Sequence, residues 1–296
     1  MSKLVIIDGN AILHRAFHAM PPLTTRSGEP INAVYGLVSM FLRVVQDLKP
    51  DSIAVAFDEK AETFRQKEFK KYQAQRPPMA DELSSQFGKA KDFFKAVGVP
   101  IYSKPGFEAD DVIGTIASKA KEDVVIVTGD RDILQLINDK VKLYMPVVGL
   151  TNAKLYDAAA AKERMGVPLE EIPDYKALVG DPSDNYPGVA GIGPKTAEKL
   201  LEKYGSIDKI YAHLSDIDPK IRQKLEANKD NAILFHRLAT IVKDVPVEID
   251  FLQMEKWKID SPEVLKLFEK FGFKILTERV KKVGKTIDQE KQTQLF

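Results

Sequence analysis

The sequence predicts an α/β fold, with a parallel sheet in its first half and short helices in its second. Three observations carry this. Short apolar runs each end in aspartate, helical patterns lie between them, and strand-like runs give way to short helices after about Pro173. The runs are LVIID ending at Asp8, SIAVAFD ending at Asp58, and VVIVTGD ending at Asp130. Continuous β-branched runs read as strands covered on both faces, as in a parallel sheet. AILHRAFHAM, AVYGLVSMFLRVVQDL and ADDVIGTIASKAKE read as helices between the runs, giving repeated β-α-β units. Ligands of such sheets bind beyond the carboxyl ends of the strands, where Asp8, Asp58 and Asp130 fall.

The chain has 296 residues, 44% of them hydrophobic, which is enough for a core and suggests two domains. No apolar run reaches 18 residues, and MSKLVIIDGN lacks the features of a secretory signal, so a soluble, cytoplasmic protein is expected. Zero cysteines exclude disulfides, thiol catalysis and cysteine-based zinc sites. Four scattered histidines do not make a His-rich site, so any metal must rest on oxygen ligands. Net charge is only +1, but Lys60 to Arg76 holds six basic residues (Lys60, Arg65, Lys67, Lys70, Lys71, Arg76) against Glu62 and Glu68.

One strand-end aspartate is ordinarily a helix N-cap or a turn residue. Here three are joined by Glu108, Asp110 and Asp111 at the start of a predicted helix, by Asp132 in GDRD, and by Asp181 and Asp184 in GDPSDN. So many carboxylates at one sheet edge repel one another unless cations neutralise them. Oxygen-only ligands point to Mg²⁺ or Mn²⁺, with Ca²⁺ also able to bind. Two such ions can clamp an in-line displacement at phosphorus, which makes phosphodiester hydrolysis the natural chemistry.

The centre of the second half is PGVAGIGPKTAEKLLEKYGSIDKI, where Gly188, Gly191 and Gly193 punctuate a turn before Lys195, Thr196 and an amphipathic helix. Glycines in such a turn let backbone N–H groups approach a phosphate closely. A helix C-cap and turn explains isolated glycines equally well. Downstream of an acidic cluster, the phosphate reading gains weight.

Together EADD, TGDRDILQL, GDPSDNYPGVAGIGPKTAEKLL, the opening IDGN with Arg15, and FR…YQAQR resemble the 5′ nuclease domain of bacterial DNA polymerase I, part of the flap endonuclease family. The resemblance runs in order from Ser2 to about residue 280. It implies a PIN-like nuclease core over 1–172 with a helical arch at 61–85, and a helix-three-turn-helix (helix-hairpin-helix) DNA-binding region over 173–283. The polar tail 284–296 is expected to be disordered.

The resemblance also assigns roles. Nine metal-site positions fall on Asp8, Asp58, Glu108, Asp110, Asp111, Asp130, Asp132, Asp181 and Asp184. Asp110 is expected between two Mg²⁺ or Mn²⁺ ions, with Asp8, Asp58 and Glu108 toward the first and Asp130, Asp132, Asp181 and Asp184 toward the second. Asp8, Asp58, Asp110, Arg15 and Arg76 are the expected catalytic residues. Arg15, Arg65, Lys70, Lys71, Tyr72, Arg76, Gly191, Gly193, Lys195 and Thr196 are the expected DNA contacts, and the hairpin allows a monovalent cation. A solvated helix face also explains Lys70 and Lys71, and Tyr72 either stacks on a base or braces the arch. Partners are expected to be DNA with a 5′ flap, a nick or a single-stranded 5′ end, at the nucleoid. Gln292 to Phe296 resembles the short peptides that dock on the bacterial sliding clamp.

In one place the chain departs from the pattern. Where the family usually has Tyr-Lys-x-x-Arg, this sequence has Tyr72, Gln73, Ala74, Gln75 and Arg76. A cation near the scissile phosphate is thereby lost, with Lys70 and Lys71 in the preceding turn as candidates to replace it. The leading reading is a 5′→3′ exonuclease and flap endonuclease that removes RNA primers and displaced strands. The alternative is a structure-specific DNA-binding module with weak or lost cleavage. A PIN-type ribonuclease toxin is disfavoured by the Gly-rich region, and a haloacid-dehalogenase-like phosphatase needs a second aspartate where Asn10 stands.

Overall fold

The computed structural model describes residues 2–148, 152–165 and 167–293. The three strand-like runs form β1 (Lys3–Asp8), β2 (Ser52–Ala56) and β4 (Asp123–Val127), joined by β3 (Ile101–Tyr102), β5 (Val141–Val148) and β6 (Asn152–Tyr156). They make one sheet in the order β3-β2-β1-β4-β5-β6, parallel except for β6, with Val5 level with Ile53 on one side and Val125 on the other. β1 is therefore central, and its backbone is paired on both edges.

Side chains alternate across a strand, so the apolar runs feed two cores. Val5, Ile7, Ile53, Val55, Val125 and Val127 face one core, while Leu4, Ile6, Ala54, Ala56, Val124 and Ile126 face the other. The first core is closed by α1 (Gly9–Ala19), α2 (Asn32–Leu48) and α5 (Gln86–Val97), and the second by α6 (Ala109–Lys119). Most of α2 is buried, through Val34, Leu37, Val38, Phe41 and Val45, as its broad apolar stripe requires. Along the edge of the fold run the short α3 (Phe64–Glu68) and α4 (Asp81–Ser84), then α7 (Ala158–Met165) beyond β6.

The second half forms α8 (Ile172–Val179), α9 (Pro194–Tyr204), α10 (Ile207–Ala212), α11 (Pro219–Ala227) and α12 (Lys229–Ala239) around a third core of Leu178, Val189, Leu200, Ile210, Leu225 and Phe235. α13 (Pro262–Phe271) and α14 (Lys274–Thr293) follow. No helix among the described residues is long and apolar enough to cross a membrane.

Three expectations change. First, the 173–283 region is not one spatial unit: Trp257, Ile259, Val264, Phe268, Leu276 and Val280 pack into the first core beside α2 and α5. The Trp257 indole N–H donates to Asp51 O, and Lys258 N to Val97 O. Second, the chain from 284 is not without structure, because α14 continues through Thr293, with Val283 buried and Ile287 against the same core one turn on. Lys49 pairs with Glu290 at 2.6 Å on its flank. Residues 294–296 of the clamp-like ending lie outside the described residues.

Third, the arch segment is compact: a five-residue α3, a turn at 70–76, an exposed stretch and a four-residue α4. It is pinned to the helical region, because Tyr72 is buried in the third core and Phe69 packs edge-on against Phe235 at 5.6 Å. Tyr72 therefore braces the segment and offers no face to a base.

Candidate active site

A cleft of about 1250 Å³ opens at the carboxyl ends of β1, β2 and β4, under the arch segment and beside the 180–184 loop. Asp8, Asp58, Glu108, Asp110, Asp130, Asp132, Asp181 and Asp184 all line it. Residues from five separate stretches thus meet at the edge to which the strand-end pattern pointed.

Each carboxylate is aimed by local structure. Asp8 ends β1 and caps α1, accepting from Ala11 N at 2.9 Å, while its other oxygen accepts from Thr128 Oγ1 at 2.7 Å. It is thus an N-cap, and a cleft residue as well. Asp58 is held by Asn10, whose amide donates to it at 2.7 Å and whose oxygen accepts its backbone N–H, and by Ala109 N at the start of α6. Asp130 accepts from Asp132 N at 2.8 Å, and Asp181 from the backbone of Ser183 at 2.8 Å.

Proximity of like charges shows in their acidities. Burial, then the charges of Asp58 and Asp130, pushes the Asp8 carboxyl up to about 7. Burial, with Asp111 and Asp58 nearby, pushes Glu108 up to about 7 despite Arg65. Asp110 is driven well above the ordinary carboxylate range by burial and by Asp130, Asp8, Glu108 and Asp58, which places it amid both groups of acids. Burial lifts Asp132 to about 6, with the Lys176 ammonium working against that rise and Asp130 adding to it. Burial also raises Asp58. Such values mark a site short of positive charge.

Asp132, Asp181 and Asp184 bring ligand oxygens within 4.8 Å of one another. A cation is already there: Lys176, from α8, donates to both Asp132 and Asp181. Burial would raise Asp181, but the Lys176 ammonium and the Ser183 donors outweigh it and hold that carboxyl below its ordinary value. Asp184 accepts from Gln73 Nε2 at 3.0 Å, Arg76 Nη2 at 2.9 Å and the Tyr72 hydroxyl at 3.3 Å. The Tyr186 hydroxyl, buried beside this cluster, has no partner among the described residues. An all-carboxylate donor set, raised acidities and an orphaned hydroxyl fit hydrated hard divalent ions.

Three predicted site residues do not take the expected roles: Asp111 and Arg15 do not line the cleft, and Arg65, which does, is engaged by the protein itself. Asp111 is fully buried and accepts two parallel bonds from Arg65, at 2.7 and 2.8 Å, besides those from Val242 N and Glu108 N. Its lone pairs are spent inside the protein, so it is not a metal ligand in this arrangement. Arg65, 2% exposed, also donates to Leu238 O and Thr240 O and pairs with Glu108 at 3.2 Å at the cleft wall, so it ties the arch to the core and its guanidinium is taken up by protein groups. Arg15, half-buried on α1, is not among the residues lining the cleft, whereas His14 is. Lys70 and Arg76 do line it, and Lys70 pairs with Glu62 at the surface. Lys71 is exposed, and its carbonyl accepts from Asn185 Nδ2.

The glycine turn forms a separate surface. Gly188 has φ +68, and a Cβ there would fall 2.3 Å from Gly180 N, so only glycine lets the two strands of this loop touch. Gly191 has φ +80 and its carbonyl accepts from Lys224 Nζ at 2.9 Å. Gly193 caps α9 in open space, with Lys195 exposed in the first turn and Thr196 half-buried beside it.

Sequence reasoning missed Lys176, Asn10 and Thr128. Lys176 is the one basic residue of α8, five positions before Asp181, but nothing in its letter marks it as buried. Asn10 and Thr128 adjoin strand-end aspartates but carry no charge to mark them.

Comparison with known proteins agrees with this architecture. Residues 3–166 match the 5′-3′ exonuclease N-terminal resolvase-like domain, and residues 167–262 the 5′-3′ exonuclease C-terminal SAM fold. The chain is 45% identical to DNA polymerase I of Caldicellulosiruptor bescii over 94% of its own length and 33% of the relative's. It thus spans about a third of the polymerase relatives it matches. It is 36% identical to a 5′-3′ exonuclease of Aquifex aeolicus over the whole of both chains. Among solved structures, the T5 D15 protein co-crystallised with metal ions superposes with a TM-score of 0.67 at 21% identity, covering 96% of this chain and 99% of that one. Flap endonuclease-1 from Methanococcus jannaschii superposes at 0.61 and 17% identity, covering 98% and 93%. The sheet, the acidic cleft and the two matched domains together show that the chain belongs to the 5′-3′ exonuclease family of nucleases.

Proposed function

We propose that the chain is a structure-specific 5′→3′ exonuclease and flap endonuclease that hydrolyses DNA and RNA-primer phosphodiester bonds at 5′ flaps, nicks and single-stranded 5′ ends. Its setting would be primer removal in replication and repair, in the cytoplasm at the nucleoid. The observation that carries this is the convergence of eight carboxylates in one open cleft at the carboxyl edge of the sheet. The kinship with DNA polymerase I and with a free-standing 5′-3′ exonuclease supports it.

Asp8, Asp58, Glu108 and Asp110 would hold one divalent ion, and Asp110, Asp130, Asp132, Asp181 and Asp184 a second. Mg²⁺, with Mn²⁺ as a substitute, supplies an activated water and neutralises charge on the leaving oxygen when bound. The chain's own part is positioning. Thr128 and the α1 N-terminus fix Asp8, and Asn10 and the α6 N-terminus fix Asp58. Arg76 and Lys70 stand at the cleft as phosphate-binding cations. Lys195, Thr196 and the N–H groups after Gly193 provide a second grip on duplex backbone that does not read sequence, where a monovalent cation can assist. Docking of Gln292–Phe296 on a sliding clamp rests on sequence alone.

Incubating 5′-labelled flapped, nicked and gapped duplexes with Mg²⁺ or with chelator tests the proposal. Mg²⁺-dependent release of products from the 5′ side is the expected result. Tight junction binding with no cleavage would instead favour the binding module, a reading supported by Gln73, whose uncharged amide is occupied by Asp184.

A further inference from the structure

The proposed second ion and the Lys176 ammonium need the same oxygens. Lys176 is mostly buried, with 14% of its side chain exposed, and donates to Asp132 and Asp181, two of the three residues whose ligand oxygens cluster within 4.8 Å. The third, Asp184, is served by Gln73, Arg76 and Tyr72. Every acid of the cluster thus has a donor supplied by the chain. On the other side, the hydrogen bonds to Asp8 and Asp58 come from neutral amides and a hydroxyl, and Arg65, 3.2 Å from Glu108, is itself held by both oxygens of Asp111, so that among the described residues no ammonium spans two of these acids as Lys176 does.

We propose that Lys176 is a built-in placeholder cation that occupies the Asp132–Asp181–Asp184 site in the metal-free protein and must yield its oxygens when a divalent ion enters. This inference rests on the two-ion reading above. An ammonium on two carboxylates neutralises part of their repulsion, which stabilises the metal-free fold. It also lowers the net negative charge that attracts an incoming ion, and its bonds must be broken before the ion can bind. The consequence is asymmetry: the Asp8–Asp58–Asp110 side fills at lower metal concentration, and the Lys176 side fills last.

Calcium titration by calorimetry on the whole chain, with thermal melting in chelator and in calcium, tests this on wild type, Lys176→Met and Lys176→Arg. Methionine keeps the length and apolar stem of lysine without its charge. The expected outcome for Lys176→Met is a lower Tm in chelator, a larger calcium-induced rise in Tm than wild type shows, and a weaker-site Kd tightened on the order of tenfold. The tighter site should not move, and Lys176→Arg, which keeps the charge, should titrate like wild type. A weaker-site Kd that is unchanged or looser in Lys176→Met overturns the placeholder role, and so does a Lys176→Met protein that calcium cannot restore. If wild type binds no calcium at all, the two-ion reading fails and takes the inference with it, an outcome distinct from wild type and variant binding two ions alike.

Discussion

Arg65 and Asp111 face each other through two parallel hydrogen bonds of 2.7 and 2.8 Å, in a place that solvent does not reach. The pair joins α3 to α6, and its spare donors and acceptors are taken by the backbone of 238–242. Removing the Asp111 charge leaves a buried Arg65 with Glu108, 3.2 Å away, as its remaining carboxylate. Asp111→Asn should therefore destabilise the protein by about 3 kcal/mol. Because Asp111 does not face the cleft, calcium affinity measured on the folded fraction should stay close to wild type. Urea unfolding and calorimetry check the two halves separately, and a loss of metal affinity at unchanged stability would return Asp111 to the ligand set.

Asp110 is the opposite case. It lies among four other acids, and its carboxyl is held well above the ordinary range by burial and by their charges, so in the metal-free protein it costs stability. Asp110→Ala should cut Mg²⁺-dependent flap cleavage by about a hundredfold or more while leaving the Tm in chelator equal or higher. Single-turnover cleavage and melting decide it. Unchanged cleavage by a folded variant would remove Asp110 from the reaction.

Adjacent in sequence, Asp110 and Asp111 show where legibility ended. Successive residues on a helix point about 100° apart, so at the first turn of α6 only one of the two can face the cleft. Residue type cannot say which. The strands were legible because apolar side chains on both faces of a buried strand leave an unbroken run, and Asp8, Asp58 and Asp130 followed from where those runs stop. Lys176 and Arg65 were not, because a buried cation is written with the same letter as a solvated one. Nor was the return of Trp257 to Val283 to the first core, since amphipathic helices declare a face and not its partner.

The raised acids also predict a pH dependence for the metal-free protein. Unfolded carboxyls titrate near pH 4, whereas Asp8 and Glu108 are held to about 7 and Asp132 to about 6. Between about pH 4 and 7 the folded state therefore binds more protons than the unfolded one, so stability falls as pH rises through that window. Asp181, held low, acts in the opposite sense but only below about pH 4. Melting in chelator should show a Tm that declines from pH 5 to 8, and saturating calcium should flatten the decline. A metal-free Tm that rises over that range would contradict the crowded-acid picture.

Gln73, where the sequence resemblance leads one to expect a lysine, has φ +54, its backbone N–H on Asp184 O and its side-chain amide on Asp184 Oδ1 at 3.0 Å. A lysine on the same backbone would start from the same place, one side chain away from Asp184 and Arg76, and would carry a charge into the cleft where phosphate is proposed to bind. It keeps the backbone bond, so Gln73→Lys should fold normally, with a Tm near wild type. If a missing cation limits the chemistry, its single-turnover rate on a flapped duplex should rise on the order of tenfold with little change in DNA affinity, since the added charge acts most strongly as negative charge develops at phosphorus. Tighter DNA binding at an unchanged single-turnover rate would mean that position 73 serves binding only, and that Lys70 or Arg76 already supplies the catalytic charge.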